Sequence, residues 1–317
     1  MDFFEFTKSK RGSIGFPNLG IDDFNPYDGI KIFRFEIKFY GIIIAFGLLL
    51  AVFYAMRQAK RYGLTSDDIL DIVLVGTPCG IIGARLYYVL TYGVPFHQWL
   101  SIRDGGMAIY GGVIGAVGSV VIFSLASKKR RGKLLACMDI AGPGFMIGQS
   151  IGRWGNFFNR EAFGGYTDGL FAMRLSETRA EGLADETLLR SKAIDGMIQV
   201  QPTFLYESAW NALGFVLLHY LAKKRKFDGQ VFLYYLAWYG LGRLYIEGMR
   251  TDSLMIGPFR ISQLIAGITC LIAVGILVYV LACKKPSGER MLVNRVAAAT
   301  QTDDKNENNM INQEELS

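Results

Sequence analysis

The stretch IKFYGIIIAFGLLLAVFYAM, from Ile37 to Met56, has twenty residues, of which Lys38 alone is charged. A helix needs about 20 apolar residues to cross a bilayer core of about 30 Å. The segment is therefore long enough and apolar enough to span a membrane. The rest of the 317-residue chain has the same character, since 51% of its residues are hydrophobic and 20% are charged. Soluble domains usually carry more charge than this.

Six further segments repeat this apolar pattern, although some of them carry polar residues. Their length and composition predict helices in every case. The seven predicted spans cover residues 37–56, 69–92, 106–126, 134–151, 203–222, 231–249 and 261–283. The sequence thus predicts an all-α polytopic membrane protein with seven transmembrane helices and a small extracytoplasmic arm.

Basic residues indicate how the spans are oriented. Each odd-numbered span is followed by a basic cluster, whereas the connections after even-numbered spans lack one. The clusters are Arg57 with Lys60 and Arg61, KKRRGK at 128–133, KKRK at 223–226, and Lys284 with Lys285. Because Lys and Arg accumulate on the cytoplasmic side, this pattern predicts an N-terminus outside and a C-terminus in the cytoplasm.

Three regions follow from these boundaries. Residues 1–35 form an extracytoplasmic N-terminal segment, and residues 36–283 form the seven-helix membrane domain. Within that domain, the connection after the fourth span, residues 152–202, is long enough to fold as an extracytoplasmic arm. Residues 284–317 are predicted to form a disordered cytoplasmic tail, because this end of the chain is rich in Asn, Glu, Asp and Gln.

Composition excludes several functional classes. The net charge is +6, and the excess lies in the clusters predicted to be cytoplasmic. Nucleic-acid binding would need a basic face on a folded domain, and the sequence shows none. Two histidines are too few for a histidine-based metal site, and the cysteines have neither CxxC nor zinc spacing. They are interpreted as small apolar packing residues. The four cysteines are Cys79, Cys137, Cys270 and Cys283.

Polar side chains inside apolar spans are unfavourable and usually mark a functional site. With the predicted orientation, the first five spans each place such a residue in or near the outer half of the membrane. That depth corresponds to the lipid head groups of the outer leaflet. The residues are Tyr40, Arg85, Tyr110, Arg153 and Glu207.

The sixth span carries the clearest pattern of polar residues. Tyr239, Arg243, Glu247 and Arg250 are spaced i, i+4, i+8 and i+11, which places all four on one helical face. A structural alternative is a snorkelling arginine together with an internal Arg–Glu pair that holds helices together.

A long motif follows the fourth span, where the chain reads GRWGNFFNREAFGG from Gly152 to Gly165. This pattern resembles the signature of the prolipoprotein diacylglyceryl transferase family, Gly-Arg-x-Gly-Asn-Phe-x-Asn-x-Glu-x-x-Gly. Other segments agree with the family in order and spacing, and the resemblance covers roughly residues 30–283. They are KFYG at 38–41, GARLYYV at 83–89, DGGMAIYGG at 104–112, QPTFLYES at 201–208 and WYGLGRLYIEGMR at 238–250.

The resemblance implies an enzyme of the bacterial cytoplasmic membrane whose membrane domain is catalytic. Such an enzyme takes the diacylglyceryl group from phosphatidylglycerol and attaches it by a thioether to the lipobox cysteine of an exported prolipoprotein. Glycerol phosphate leaves, and no metal or organic cofactor is used. The expected partners are therefore phosphatidylglycerol, prolipoprotein signal peptides and membrane lipid, without nucleic acid.

The residue types suit this chemistry. Arginine grips phosphate through paired donors that stay charged, so Arg153 and Arg243 are the predicted catalytic phosphate-binding pair. Asn156 and Asn159 can donate further hydrogen bonds to the lipid or, alternatively, cap a turn. The remaining substrate-binding candidates are Tyr40, Arg85, Glu161, Gly164, Glu247 and Arg250, of which Glu161 and Glu247 are expected to anchor neighbouring arginines. Tyr239 is a catalytic candidate and, by resemblance, lines the lipid pocket with Tyr40.

The acceptor thiol needs a base or a positive field, because the thiolate is the attacking species. Some family members have a histidine before the glycine pair of the third span, whereas this chain has Tyr110 there. A tyrosine titrates near pH ~10 and would need strong help to act as a general base. Tyr110 is therefore a catalytic candidate with two open roles, proton acceptor or orienting group.

Two rival functions are compatible with parts of the pattern. A lipid transporter or flippase also has polar residues in several helices and many glycines. The polar residues here cluster in one leaflet, however, and the two halves of the sequence show no repeat. A different phospholipid-processing transferase would share the arginines but lack the full motif.

Overall fold

A computed structural model describes residues 4–33, 35–101, 106–251, 255–256 and 259–301. These residues form two compact units. The first unit comprises the described parts of Met1–Ala51, Gly142–Lys224 and Val231–Lys285. The second unit comprises the described parts of Val52–Ala141, Arg225–Gln230 and Pro286–Ser317.

The structure is mostly helical, and each of the seven predicted spans coincides with one long helix. Two short helices, the fourth and sixth, were not predicted. The helices are α1 (Phe39–Gln58), α2 (Ser66–Tyr92), α3 (Ile109–Leu125), α4 (Lys128–Arg131), α5 (Leu134–Asn159), α6 (Glu186–Ser191), α7 (Thr203–Leu221), α8 (Gln230–Ile246) and α9 (Ile261–Tyr279).

Within the described residues, four helices are long and apolar enough to cross a membrane. They are Phe39–Tyr62, Ser66–Tyr92, Leu134–Asn159 and Ile261–Lys284. The helix that includes Tyr110–Leu125 is apolar but shorter. Polar residues such as Glu207 in α7 and Arg243 in α8 lower the hydropathy of those two helices. Four candidate spans are therefore observed, and seven crossings stay a prediction.

The prediction of an all-α fold is wrong in three places, since short strands occur in residues 4–38, in the arm and between α8 and α9. The strands are β1 (Phe4–Thr7), β2 (Ile14–Phe16), β3 (Ile21–Phe24), β4 (Gly29–Ile32), β5 (Phe35–Lys38), β6 (Met173–Ser176), β7 (Met197–Val200), β8 (Met255–Ile256) and β9 (Phe259–Arg260). They form three sheets with the strand orders β1-β4-β5, β3-β2-β6-β7 and β8-β9.

The four-stranded antiparallel sheet joins the N-terminal segment to the arm, with Ile14 of β2 opposite Leu175 of β6. Apolar and polar residues alternate in β6 and β7, so one face of the sheet is buried. This burial explains why the segment folds as strands. The buried cluster consists of Ile14, Phe163, Met173, Leu175, Ala180, Leu189, Ile198, Val200 and Phe204.

Arg160 fastens the N-terminal segment to the end of α5. Its side chain is 0% exposed, and it pairs with Asp28 at 3.0 Å. The same guanidinium donates to the side chain of Asn25 at 2.9 Å and to the carbonyl oxygens of Gly12 and Pro26 at 3.2 and 2.8 Å. A buried guanidinium is tolerated only when its donors are satisfied, and these contacts satisfy them.

In the second unit, α2 and α3 pack against each other at glycines. A Cβ atom added to Gly83 would lie 2.4 Å from the carbonyl oxygen of Gly111, and one added to Gly111 would lie 2.3 Å from that of Gly83. A Cβ atom added to Gly115 would lie 2.3 Å from the carbonyl oxygen of Cys79. The two backbones therefore touch, as in membrane helix pairs with small residues at four-residue intervals.

A buried ion pair also belongs to the second unit. Asp139 of α5 is fully buried, accepts the backbone N–H of Gly229 at 2.8 Å, and lies 3.7 Å from a guanidinium nitrogen of Arg225. The guanidinium of Arg225 also lies 4.0 Å from the centre of the Tyr62 ring. Asp139 therefore has a structural role in holding the turn before α8.

Part of the predicted disordered tail has regular structure, because residues 292–301 form a helix. At its start, Leu292 is buried and donates its backbone N–H to Asp228 at 2.7 Å. Residues 302–317 lie outside the described residues, and their disorder stays a prediction.

Candidate active site

The motif that follows the fourth span begins inside a helix. The sequence predicted that this span ends at Ile151, but α5 continues to Asn159. Arg153, Asn156 and Asn159 therefore lie on the last turns of α5, where each residue shares a face with the one three positions away. The helix ends at Arg160, which has a left-handed φ of 49°.

The two arginines that the sequence singled out both contact one carboxylate. Arg153 Nη2 lies 2.6 Å from Oε1 of Glu207 on α7, and Arg243 Nη1 lies 3.1 Å from the same oxygen. The two side chains therefore lie close together, while their predicted binding of one phosphate stays a prediction. Helices α5, α7 and α8 each contribute one charged group to this point.

The charges continue along α8 and the turn that follows it. Arg243 Nη2 lies 2.6 Å from Oε2 of Glu247, and Arg250 Nε lies 4.0 Å from the same oxygen. Glu247 thus anchors neighbouring arginines, as the sequence predicted. We call the five residues the arginine–glutamate cluster: Arg153, Glu207, Arg243, Glu247 and Arg250.

Burial and charge balance distinguish this cluster from a surface ion pair. The side chains of Glu207 and Glu247 are 4% and 3% exposed, while those of Arg153 and Arg243 are 19% and 16% exposed. Three guanidinium groups against two carboxylates leave a formal excess of one positive charge. The carboxylates thus lie inside and hold the arginines, and the arginines reach the accessible side.

Two asparagines and a glutamate form a second group, which we call the amide cluster. Oε1 of Glu161 accepts the side-chain N–H groups of Asn156 and Asn159, each at 3.0 Å. Arg153 Nη1 donates to Oδ1 of Asn156 at 3.4 Å, and a guanidinium nitrogen of Arg11 donates to Oδ1 of Asn159. Glu161 was expected to anchor arginines, but its contacts among the described residues are to these amides.

Gly164 is required by close packing at the point where the arm meets the turn after α8. A Cβ atom there would lie 2.7 Å from the carbonyl oxygen of Met249 and 3.0 Å from Cβ of Gln201. The N–H of Gly164 donates to the carbonyl of Gln201 at 2.9 Å, and Gly164 forms a β-bridge with Arg250. The residue holds Arg250 in place, while its predicted contact with lipid stays a prediction.

Two tyrosines flank the clusters. The ring of Tyr40 packs on the α5 backbone, because a Cβ atom on Gly155 would lie 2.6 Å from that ring. Tyr239 lies one turn before Arg243 on α8, and its ring stacks on that of Tyr235 with centroids 5.8 Å apart. Both tyrosines are in the first unit with the arginine–glutamate cluster.

Arg85 and Tyr110 belong to the second unit. Arg85 donates to the carbonyl oxygens of Gln98, Trp99 and Gly106 at 2.6, 2.9 and 2.9 Å, so it organises the connection between α2 and α3. Tyr110 lies at the start of α3 and is 37% exposed. The substrate contacts predicted for both residues stay predictions.

The sequence pointed to Glu207 as a polar residue at the depth of the site but gave it no catalytic or substrate-binding role. The structure places Glu207 at the centre of the arginine–glutamate cluster. The segment QPTFLYES at 201–208 was the available signal, since it puts a carboxylate in an apolar helix. The described residues contain no group of three or more His, Cys, Asp or Glu side chains that could hold a metal ion.

The chain is similar to known proteins over most of its length. The family model described as prolipoprotein diacylglyceryl transferase matches residues 29–279. A relative from Listeria welshimeri is 39% identical over 265 residues, which cover 82% of this chain and 91% of the relative. A relative from Bacillus anthracis is 42% identical over 243 residues, covering 75% and 85% of the two chains. Both are named phosphatidylglycerol–prolipoprotein diacylglyceryl transferase.

The chain is mostly helical, has candidate membrane spans and carries a charged cluster on three helices. It is also similar over most of its length to proteins named as transferases. It therefore belongs to a class of membrane-associated transferases. Within that class, the chain is a member of the prolipoprotein diacylglyceryl transferase family.

Proposed function

We propose that this protein transfers the diacylglyceryl group of phosphatidylglycerol to the lipobox cysteine of exported prolipoproteins. This is the first step of bacterial lipoprotein maturation. The observation that carries the proposal is the meeting of Arg153 and Arg243 at one buried carboxylate, Glu207. Family membership supports the same reaction.

In the proposed reaction, the thiolate of the acceptor attacks the glyceryl carbon that bears the phosphate ester. The new S–C bond forms as the C–O bond breaks, and the electron pair of that bond leaves with glycerol phosphate. The thiol proton passes to a base. Negative charge therefore increases on the departing phosphate, where fixed arginines stabilise it more than they stabilise the starting lipid.

The arginine–glutamate cluster suits this task. Glu207 holds one edge of each guanidinium, so the arginines are fixed before the lipid arrives. A guanidinium has five N–H donors, which leaves further donors of Arg153 and Arg243 for phosphate oxygens. The formal excess of one positive charge favours an anion over a neutral head group.

The remaining candidates take supporting roles in this proposal. Tyr40 and Tyr239 line the lipid pocket, and Asn156 and Asn159 orient Arg153 and the lipid. A contact of Arg85 with the lipid stays a prediction from the sequence. Tyr110 either accepts the thiol proton or orients the thiol. The bundle has seven spans in the bacterial cytoplasmic membrane, with the N-terminus and the arm outside and the C-terminus in the cytoplasm.

The test uses the purified protein in vesicles that contain phosphatidylglycerol, together with a fluorescent peptide that carries the lipobox cysteine. We expect mass spectrometry to detect the thioether-linked diacylglyceryl group on the peptide, with glycerol phosphate as the co-product. Vesicles of phosphatidylethanolamine with the same acyl chains are the lipid control, and a Cys→Ser peptide is the acceptor control. Movement of phosphatidylglycerol between leaflets without thioether formation would favour a flippase.

A further inference from the structure

A cavity of about 320 Å³ opens beside the arginine–glutamate cluster. Its walls come from the end of the motif, from the arm and from the turn after α8. The residues that matter for its chemistry are Glu161, Thr178, Arg179, Glu181 and Thr251. The volume is within the range of about 300–1,000 Å³ that is usual for ligand sites.

The cavity lies next to two arginines of the arginine–glutamate cluster, Arg153 and Arg250. On one side, Glu161 in its wall accepts a hydrogen bond from Asn156 at 3.0 Å, and Asn156 in turn accepts from Arg153 at 3.4 Å. A molecule seated against this wall is therefore two hydrogen bonds away from one predicted phosphate-binding group.

On its other side, the cavity is bounded by Thr251, which follows Arg250 of the arginine–glutamate cluster. The hydroxyl oxygen of Thr251 is shielded from solvent and has no hydrogen-bond partner among the described residues. A buried hydroxyl without a partner is unfavourable, so a polar group of a ligand that pairs with it would stabilise it.

The lining is more acidic than basic. Two carboxylates line the cavity, those of Glu161 and Glu181, against one guanidinium, that of Arg179. Nε of Arg179 donates to the carbonyl of Arg160 at 3.1 Å. Glu161 is already engaged by the two asparagines, whereas Glu181 is exposed at the rim. Polar walls with a negative excess fit a polypeptide with basic residues better than a second anionic lipid.

We infer that this cavity binds the part of the acceptor polypeptide that directly follows the modified cysteine, with a preference for basic residues there. The inference rests on the proposed function. The cysteine must lie at the arginines for transfer, and the residues after it continue outside the membrane into the exported protein. The cavity can bind that extended segment through polar contacts close to the reacting centre.

The experiment measures transfer to two lipobox peptides that differ only in the second and third residues after the cysteine, which are Lys in one and Glu in the other. The proteins are the unchanged chain, Glu181→Lys and the matched control Asp168→Lys. Asp168 is an exposed carboxylate of the same arm that does not line the cavity. Both substitutions change the net charge equally.

We expect the unchanged chain to have a KM for the Lys peptide that is lower than that for the Glu peptide by about two- to fivefold, as one exposed charge pair allows. Glu181→Lys should abolish or reverse this ratio, whereas Asp168→Lys should leave it unchanged. The KM for phosphatidylglycerol should stay the same in all three proteins.

Three results would overturn the inference: an identical peptide ratio in Glu181→Lys and the unchanged chain, an equal shift in Asp168→Lys, or a change confined to the KM for phosphatidylglycerol. The last would assign the cavity to a lipid head group. Failure of the unchanged chain to modify either peptide would instead count against the proposed function, so the two failures are distinguishable.

Discussion

Helices are held together in two different ways in this molecule. In the second unit, α2 and α3 touch backbone to backbone at Gly83, Gly111 and Gly115. In the first unit, α5, α7 and α8 are joined by charged side chains at Glu207. The glycine contact needs only shape, whereas burying ions is unfavourable unless each is paired. The comparison indicates that α2 and α3 meet through complementary shape, whereas α5, α7 and α8 meet through paired charges.

The largest expected effect comes from Arg243. Arg243→Ala should lower the rate of thioether formation by about 10²–10³-fold, as the loss of one fixed donor to a developing anion does. Arg243→Lys keeps a charge but loses the paired donors, so it should also lose most of the activity while remaining folded. Both rates are measured per amount of folded protein.

Arg174 provides the control for this prediction. It lies in the arm, 3.7 Å from Asp23 in a partly exposed ion pair, so Arg174→Ala should leave the rate close to that of the unchanged chain. Full activity in Arg243→Lys would contradict the view that paired guanidinium donors bind the phosphate.

A smaller effect is expected where α2 meets α3. Gly111→Ala places a Cβ atom 2.3 Å from the carbonyl of Gly83, so the helices must separate. We expect the free energy of unfolding in detergent to fall by about 1–3 kcal/mol, the usual effect of overpacking. Gly118→Ala on the same helix is the matched control, because its added Cβ has nothing within 4 Å. Equal melting temperatures for the two variants would refute the backbone contact.

The smallest effect should come from a neutral polar pair in the first unit. Ser208 Oγ donates to the carbonyl of Ser150 at 2.8 Å, which links α7 to α5. Ser208→Ala should destabilise the protein by about 0.6 kcal/mol, the average for such bonds between membrane helices, with little change in rate. Ser119→Ala is the comparison, since Ser119 donates within its own helix to Ala116 at 3.0 Å. A large loss of activity in Ser208→Ala would place this pair in the catalytic machinery.

The helices were largely predictable because long apolar runs carry a strong local signal. The strands were missed because each has only two to four residues, and because one pairing, that of Ile14 with Leu175, joins distant parts of the chain. Alternation over so few residues cannot be told from a loop by sequence alone. The extension of α5 was missed for a related reason, since the glycines and asparagines of the motif are also typical of turns.

The candidate site was predicted in part. Their predicted depth in the membrane and the match to the family motifs identified Arg153 and Arg243. In the structure both contact Glu207. Which face of each helix points toward the others could not be obtained from one sequence, so Glu207 was not recognised as their common partner. The same lack of orientation assigned Glu161 to arginines rather than to Asn156 and Asn159.

The sheet that joins β2 to β6 has a consequence for how the chain is made. The ribosome produces Ile14 long before Leu175, so the edge of β2 that pairs with β6 stays open until the arm has been made. Closing so long a loop is slow, and an unpaired strand edge is prone to aggregation in the meantime. β2 therefore reaches its final pairing only after a distant part of the chain has been made, so the folding of the N-terminal segment depends on completion of the arm.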